Sequence, residues 1–157
     1  MVKRRACRAV LLTPQNEVLL IKIANPNGKW VGWITPGGGI DEGESIEAAL
    51  ERELLEEVGF GLFLVVGHIW KRSMIFEWNG KEIDQTEDFF LIETERFDVP
   101  EKTDLTPEEA GYIKEIRWWR VEDIEKSNET FAPAQLVSLL KDVIINGTPP
   151  EPVDAGV

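Results

Sequence analysis

The sequence predicts an α/β fold in one domain, and three observations support this prediction. The chain has 157 residues, 43% of them hydrophobic, which is enough for one sizeable core and argues against disorder. Short apolar and β-branched runs, separated by turn residues, predict strands in both halves of the chain. Between them, residues 46–58 carry an apolar residue at every fourth position, which indicates one amphipathic helix.

The first predicted elements are strands. Residues 4–13 and 18–23 are apolar segments on either side of a turn, and we expect them to form a hairpin. Residues 29–35 predict a third strand, which leads into a glycine-rich segment. Trp33 in this strand is expected to belong to the core, because a large aromatic residue before a turn is more often buried than ligand-binding.

The ends of the central helix are marked by specific residues. Ser45 suits the N-cap, because its hydroxyl can accept a hydrogen bond from a free N–H of the first turn. Glu47 complements the positive end of the helix dipole. Gly59 can adopt the left-handed conformation that ends a helix. The apolar stripe of this helix is expected to consist of Ile46, Leu50, Leu54 and Val58.

The second half of the chain predicts a second hairpin and a long loop. Residues 62–68 are apolar and β-branched and predict a buried strand that continues to residue 76. Asn79 and Gly80 form a strong hairpin-turn signal, and residues 87–93 are the returning strand. Residues 96–111 are polar without a clear period and predict a long loop, a type of segment that is often functional.

The C-terminal part predicts a strand followed by helices. Residues 116–121 form the last expected strand, a short helix follows at residues 122–125, and residues 134–146 form the final helix. No repeat or linker indicates a second domain. We therefore predict one domain over residues 1–147 and a loose proline-rich tail over residues 148–157.

Charge and cysteine content exclude several classes of function. The formal net charge is −12, with 29 acidic against 17 basic residues, and this argues against binding a nucleic-acid polymer. An acidic enzyme can still bind a phosphorylated small molecule if metal ions supply positive charge. Cys7 is the only cysteine, which suggests a reducing cytoplasm. Residues 9–12 are too short an apolar run for a signal peptide, and no stretch is long enough to predict a membrane span.

Three carboxylates of the central helix form the first candidate site. Glu53, Glu56 and Glu57 fall within an arc of about 100° and repel one another. A hard divalent cation such as Mg²⁺ or Mn²⁺ would use such a cluster, because it prefers oxygen ligands. Taken alone, however, three acidic residues on a helix more often form a solvated face.

The wider pattern is far more specific. The glycine segment and the helix together match a longer pattern: glycine, five residues, Glu, seven residues and then Arg-Glu-aliphatic-x-Glu-Glu-x-Gly-aliphatic. This pattern is the Nudix box. Its fixed positions are occupied here by Gly38, Glu44, Arg52, Glu53, Glu56, Glu57 and Gly59. At average residue usage these identities coincide by chance at about one start position in 10^8. Leu54 fits the first aliphatic position, and Phe60 departs mildly from the usual Leu or Ile at the second. The chain resembles the Nudix hydrolase superfamily, including its MutT-like branch, over residues 4–146.

The resemblance implies a fold and a chemistry. The fold would be an α/β/α sandwich with a mixed β-sheet between helices. The reaction would be Mg²⁺-dependent hydrolysis of a pyrophosphate bond in a nucleoside diphosphate linked to another group, with Mn²⁺ as a substitute metal. Candidate substrates include a nucleoside triphosphate such as 8-oxo-dGTP, a sugar nucleotide and a dinucleoside polyphosphate. The protein would act as a monomer or homodimer.

The resemblance also assigns roles to residues. Glu53, Glu56 and Glu57 would be the principal metal ligands, and Glu53 could instead be the general base. Gly37 would offer a backbone carbonyl, and Glu44 would bind a second metal or hold the loop. Arg52 cannot bind a cation and would orient a neighbouring carboxylate. These implied catalytic and metal-binding residues are Gly37, Glu44, Arg52, Glu53, Glu56 and Glu57.

Substrate-binding candidates are less sharply defined. Gly38 and Gly39 let the backbone approach phosphates, and Trp30 could border the substrate pocket. Arg72 could bind a phosphate or be solvated. Glu109 or Glu115 could supply the further acid that Nudix enzymes often take from a loop beyond the box. These candidates are Trp30, Gly38, Gly39, Arg72, Glu109 and Glu115.

Three alternatives remain open at this point. His68, the only histidine, is more often a structural residue than a catalyst in such a position. A catalytically silent Nudix domain could sense a nucleotide for a partner, although the intact box argues against it. Isoprenoid diphosphate isomerisation needs a catalytic cysteine near the active site, and Cys7 is poorly placed in the sequence for that role.

Overall fold

The computed structural model describes residues 1–100 and 107–156, apart from the side chains of residues 108–110. The strands are β1 (Val2–Leu12), β2 (Glu17–Ala24), β3 (Val31–Ile34), β4 (Gly37–Gly39), β5 (Gly67–Trp78), β6 (Lys81–Glu93), β7 (Ile113–Arg120) and β8 (Val153–Asp154). The helices are α1 (Ile46–Val58), α2 (Pro107–Tyr112), α3 (Val121–Lys126) and α4 (Leu136–Asn146).

The strands form a mixed sheet in the order β3-β2-β1-β6-β5-β8, with β4 paired to β1 and β7 paired to β2. β1 runs parallel to β6 from the pair Val2–Ile83 to the pair Leu12–Glu93. β5 and β6 form the hairpin predicted at Asn79 and Gly80. The long parallel pairing places residues that are far apart in the chain side by side on one face of the sheet.

β1 and β2 are joined by the predicted turn but pair only at Leu12 and Val18. Beyond this pair, β1 takes β4 as its neighbour through residues 6–8, whereas β2 pairs with β3 and β7. The predicted hairpin is therefore correct at its turn and wrong along most of its length. The separation of the two strands lets the short glycine strand β4 enter the sheet beside β1.

Helices cover both faces of the sheet. On one face, α1 buries Leu50 and Leu54 against Cys7, Ala9 and Leu11 of β1. On the other face, α3 and α4 pack against a second core cluster, which contains Val10 of β1 and Trp33. The predicted α/β/α sandwich with a mixed sheet is confirmed, and Trp33 is buried as expected.

Two sequence-based predictions of local structure are wrong. Residues 62–66 form no strand, and Leu62 and Leu64 are 93% and 86% exposed. Only Phe63 of this run turns inward, where it stacks on Phe60. The predicted loose tail is instead anchored, because β8 pairs with β5 and the Ala155 N–H donates to the carbonyl of Lys71. Ala155 belongs to the core cluster beneath α4.

The remaining boundaries differ by a few residues. β5 begins at Gly67, β6 begins at Lys81 and β7 begins at Ile113. The predicted loop at residues 96–111 contains the start of α2, and residues 101–106 lie outside the described part of the chain. No helix within the described residues is both long and apolar enough to cross a membrane.

Candidate active site

α1 begins and ends where its sequence predicts. The Ser45 hydroxyl accepts a 3.1 Å hydrogen bond from the N–H of Ala48. Gly59 has φ +70°, a left-handed conformation that few other residues adopt, and its N–H donates to the carbonyls of the last turn. The helix stripe is buried at Leu50, Leu54 and Val58. With that stripe fixed on the sheet, the box glutamates project beside it.

The glycine strand β4 contacts two of these glutamates directly. The N–H of Gly37 donates a 2.8 Å hydrogen bond to Oε1 of Glu57. A Cβ added at Gly38 would lie 2.5 Å from Cδ of Glu53, so the Glu53 carboxylate occupies the space that a side chain would fill. Gly37 has φ +145° and lies against the backbone of Cys7. The two glycines therefore let the strand and the carboxylates approach one another.

Arg52 holds the loop and the helix together. Its Nε and Nη2 donate to the two carboxylate oxygens of Glu44 at 2.9 and 2.8 Å, and its Nη1 donates to Oε1 of Glu53 at 2.9 Å. Nη2 also donates to the carbonyl of Gly39 at 3.0 Å. The planar guanidinium thus binds one carboxylate in a two-point contact and orients a second.

The pKa values of both carboxyl groups are shifted, that of Glu44 by its hydrogen bonds and that of Glu53 by burial. The hydrogen bonds from Arg52 lower the pKa of Glu44 to about 2. Burial raises the pKa of Glu53, and the nearby Arg52 only partly opposes this effect. Glu53 is therefore the more basic of the two carboxylates bonded to Arg52.

A cavity of about 730 Å³ opens beside the box. One part of its wall is formed by Gly37, Gly38, Glu53 and Glu57. A second part is aromatic and contains Trp30, Phe76, Trp78, Tyr112 and Phe131. A third part is cationic and contains Arg4, Arg8 and Arg72.

The cationic wall is organised around the buried carboxylate of Glu87. Arg8 Nε and Gln85 Nε2 each lie 2.9 Å from Oε2, and Arg72 Nε lies 2.6 Å from Oε1. Burial alone would raise the pKa of Glu87, but Arg8 and Arg72 outweigh it and lower the pKa. Glu87 is therefore held ionised at neutral pH and fixes the directions of both arginines.

The structure brings most of the predicted site residues together. Those lining the cavity are Trp30, Gly37, Gly38, Glu53, Glu57 and Arg72. Arg52, Glu44 and Gly39 lie behind this wall, in contact with it through Arg52. The possibility that Arg72 is solvated is wrong, because the residue is only 6% exposed.

Other predicted residues lie farther from the cavity. Glu56 has a side chain that is 58% exposed, and it reaches Arg52 only at 3.8 Å. Glu115 lies on β7, half exposed, 3.7 Å from Arg117, and does not line the cavity. Glu109 lies in α2, but its side chain is outside the described residues.

His68 and Cys7 are the remaining candidates for a catalytic side chain, and both have defined surroundings in the structure. His68 stacks on Phe90, has Nε2 3.0 Å from Asp88 and does not line the cavity. Cys7 is directly paired with Gly38 of the glycine strand. Its thiol is nevertheless fully buried, and burial raises its pKa to about 11, which makes it a poor nucleophile.

The donors around the glycine strand suit a hard divalent cation. Glu53 and Glu57 supply carboxylate oxygens at one wall of the cavity, and among the described residues no cysteine or histidine lines it. Among the described residues, no three acidic, histidine or cysteine side chains are already grouped as a complete metal site. The chemistry of the donors fits Mg²⁺ or Mn²⁺, with water completing the ligand set.

Four cavity residues are not among those predicted from the sequence, namely Arg4, Arg8, Gln85 and Glu87. A signal existed, because Arg4 and Arg8 share one face of β1, and Gln85 and Glu87 share one face of β6. The pairs Arg4–Gln85 and Ala6–Glu87 then bring these faces together. Only the parallel pairing of the two strands reveals that they form one cluster.

Comparison with known proteins identifies the class to which this fold and site belong. Residues 2–140 match the family model described as the NUDIX domain, and the chain belongs to this family. It is a hydrolase that acts on phosphoric anhydride bonds, the reaction of Nudix pyrophosphohydrolases.

Individual relatives are more distant. The chain is 27% identical over 147 residues to mouse diphosphoinositol polyphosphate phosphohydrolase 3-alpha, covering 94% of this chain and 80% of the relative. It is 39% identical over 73 residues to the nucleoside triphosphatase NudI of Escherichia coli O139:H28, covering 46% of this chain and 52% of the relative. The MutT NUDIX hydrolase structure from Burkholderia pseudomallei has a TM-score of 0.60 at 19% identity, covering 88% and 97% of the two chains. This last likeness supports the fold.

Proposed function

We propose that the protein is a Mg²⁺-dependent pyrophosphohydrolase that cleaves a nucleoside diphosphate linked to another group. The substrate would be a nucleoside triphosphate, including an oxidised one such as 8-oxo-dGTP, or a sugar nucleotide. The observation that carries this proposal is that Glu53 and Glu57 share one cavity with the glycine strand, a cationic wall and several aromatic rings. These are the groups that a metal ion, phosphates and a base would each require.

Glu53, Glu56 and Glu57 would hold the metal, with the Gly37 carbonyl and Glu44 as further candidates. Glu57 is already oriented by the N–H of Gly37, and Glu53 by Arg52. The exposed Glu56 would have to move toward its neighbours. When bound, Mg²⁺ would neutralise phosphate charge and acidify the attacking water.

The chain's own residues would supply positioning. Arg52 would keep Glu53 directed at the cavity while remaining outside it. Glu53 would then hold the metal or, as the alternative, accept a proton from water. Gly38, which lines the cavity, would let the phosphates approach the backbone, whereas Gly39 lies behind this wall. An acid from α2, with Glu109 as the candidate, would complete the site.

The aromatic wall would hold the base. Trp30, Phe76, Trp78 and Phe131 line the cavity beside Asn25 and Asn27, which carry amide groups. Stacking on such rings stabilises a bound base by about 1–3 kcal/mol and tolerates different bases. This arrangement supports a nucleotide over a purely polyanionic substrate. The named activity of NudI, a nucleoside triphosphatase, agrees with this choice.

The test is a turnover screen with Mg²⁺ and Mn²⁺ over nucleoside triphosphates, oxidised triphosphates, sugar nucleotides and dinucleoside polyphosphates. Products are identified by chromatography. We expect metal-dependent cleavage of at least one compound at a phosphoric anhydride bond. Tight nucleotide binding without turnover of any compound would favour the silent sensor domain instead.

A further inference from the structure

The Glu87 cluster contains more positive charge than its own carboxylate can balance. Arg4, Arg8 and Arg72 all line the cavity, and Arg8 and Arg72 both donate to Glu87, while the box carboxylates Glu53 and Glu57 lie farther along the lining. Arg4 joins the group through a 2.9 Å bond from its Nη1 to Oε1 of Gln85. This cationic wall is unusual in a chain whose net charge is −12. It therefore marks a place where negative charge from a ligand is favoured.

Stability does not account for such a cluster. Burying charged groups costs desolvation free energy, and buried ion pairs are often no more stabilising than apolar residues of the same size. Here Arg8 and Arg72 have side chains that are 12% and 5% exposed, and the Nε of each donates a hydrogen bond to the Glu87 carboxylate. Within the described residues, Arg72 donates through Nε and its Nη atoms bond to no protein acceptor. They can donate to an anion in the cavity.

The cationic wall continues directly from the box. Arg8 pairs with Gly37 across β1 and β4, and its charge interacts with Glu57 and Glu53 as well as with Glu87. A phosphate chain that begins at the box glutamates would therefore reach Arg8 and then Arg72. The fixed Nε bonds to Glu87 set the directions of both guanidinium groups before any ligand arrives.

We propose that Arg8 and Arg72, oriented by Glu87, bind a substrate phosphate other than the two joined by the cleaved bond. The enzyme then selects compounds with three or more linked phosphates over diphosphate-linked compounds such as sugar nucleotides. This inference rests on the proposed function and narrows its substrate class. It assigns Glu87 and Gln85 as positioning residues and Arg8 and Arg72 as specificity-determining residues.

The test uses a charge-neutral double variant, Arg72→Gln with Glu87→Gln, which removes one guanidinium without leaving an unpaired buried carboxylate. The matched control is Arg96→Gln with Glu17→Gln. In that pair Arg96 Nη1 lies 2.7 Å from Glu17 Oε2, the glutamate is 10% exposed, and neither residue lines the cavity. Both variants keep the net charge of the chain. Circular dichroism checks that each one folds.

Two measurements are made on the same proteins. Calorimetry without metal, in EDTA, measures the affinity for inorganic tripolyphosphate. Steady-state kinetics with Mg²⁺ measure kcat/KM for a nucleoside triphosphate and for ADP-ribose. We expect the affinity of the test variant for tripolyphosphate to fall at least about 10-fold, because charge-assisted hydrogen bonds are lost. The kcat/KM for the triphosphate, divided by the kcat/KM for ADP-ribose, should fall by a similar factor. The control variant should match the wild type.

Unchanged tripolyphosphate affinity, or an equal loss of kcat/KM for both substrates, would overturn the inference. If the double variant does not fold, Arg72→Lys replaces it, and it should lower the same ratio because a lysine lacks the planar fork. The protein could also bind tripolyphosphate through Arg72 and yet hydrolyse none of the compounds. That result would support the phosphate subsite and refute the proposed function.

Discussion

The N–H of Gly37 donates a 2.8 Å hydrogen bond to Oε1 of Glu57, and this bond ties the glycine strand to the carboxylate-bearing helix. Gly37 is itself fixed by pairing with Arg8 in β1. The direction of a box carboxylate is therefore set by the central sheet as well as by its own helix. The same strand, β1, supplies Arg4 and Arg8 of the cationic wall, so the acidic and basic parts of the cavity are joined through one strand.

Glu57→Gln should lower turnover at least about 100-fold, because it removes a charge from the proposed metal site. Glutamine keeps an oxygen that can accept from Gly37, so the fold should be retained. Steady-state kinetics at saturating Mg²⁺ make the measurement. Glu51→Gln on the exposed side of the same helix is the control and should behave as wild type. A near-normal rate for Glu57→Gln would refute its assignment as a metal ligand.

Gly38→Ala should impair activity more than it impairs folding. The new Cβ would lie 2.5 Å from Cδ of Glu53 and would displace that carboxylate. We expect turnover to fall by about 10-fold or more, the size of losses when a ligand's orientation is disturbed. Gly111→Ala is the control, since its Cβ would meet nothing within 4 Å. Equal activity of the two variants would show that the Gly38–Glu53 contact has no role in turnover.

Arg52→Lys should lower turnover by about 10-fold or more, because lysine keeps the charge but loses the fork that binds Glu44 and Glu53 together. Kinetics against Mg²⁺ concentration compare it with Glu57→Gln. Apparent metal affinity should fall less in Arg52→Lys, since no oxygen ligand is removed. A loss of metal binding as complete as in Glu57→Gln would contradict the positioning role of Arg52.

Stability in acid should depend on Glu44. Its pKa is lowered in the folded protein from 4.5 to about 2, so its contribution to stability is present above pH 4.5 and is lost as the pH falls toward 2. The Tm difference between wild type and Glu44→Gln should therefore shrink across this interval. Glu42→Gln, an exposed neighbour, should show no such trend. A Tm difference that stays constant from pH 5 to pH 2 would refute the Arg52–Glu44 linkage.

His68→Ala should leave the shape of the pH–rate profile unchanged, because His68 does not line the cavity. Its partners are Phe90 and Asp88, which makes it a structural residue of β5 and β6. The profile of kcat/KM with pH checks this expectation. If a pKa of the profile disappears in a folded His68→Ala variant, the protein has a general base that the proposed mechanism lacks.

The sequence by itself determined the elements whose signals are local. Ser45 and Gly59 mark the ends of α1 through hydrogen bonds to residues a few positions away, and the structure places both as predicted. The Asn79–Gly80 turn likewise depends on its own backbone conformation. The spacing of the Nudix box identified the family because that spacing is fixed on one loop and one helix.

Tertiary structure alone decided the rest of the cavity. Arg8 and Glu87 are 79 positions apart, and they meet only because β1 runs parallel to β6. The structure differs from the sequence-based prediction at residues 62–66 and at β8 because the burial of both segments also depends on distant residues. Local composition indicates that a segment is apolar or proline-rich. Whether that segment is buried depends on packing partners from distant parts of the chain. The cationic wall, and with it the proposed substrate preference, arises from such long-range pairing.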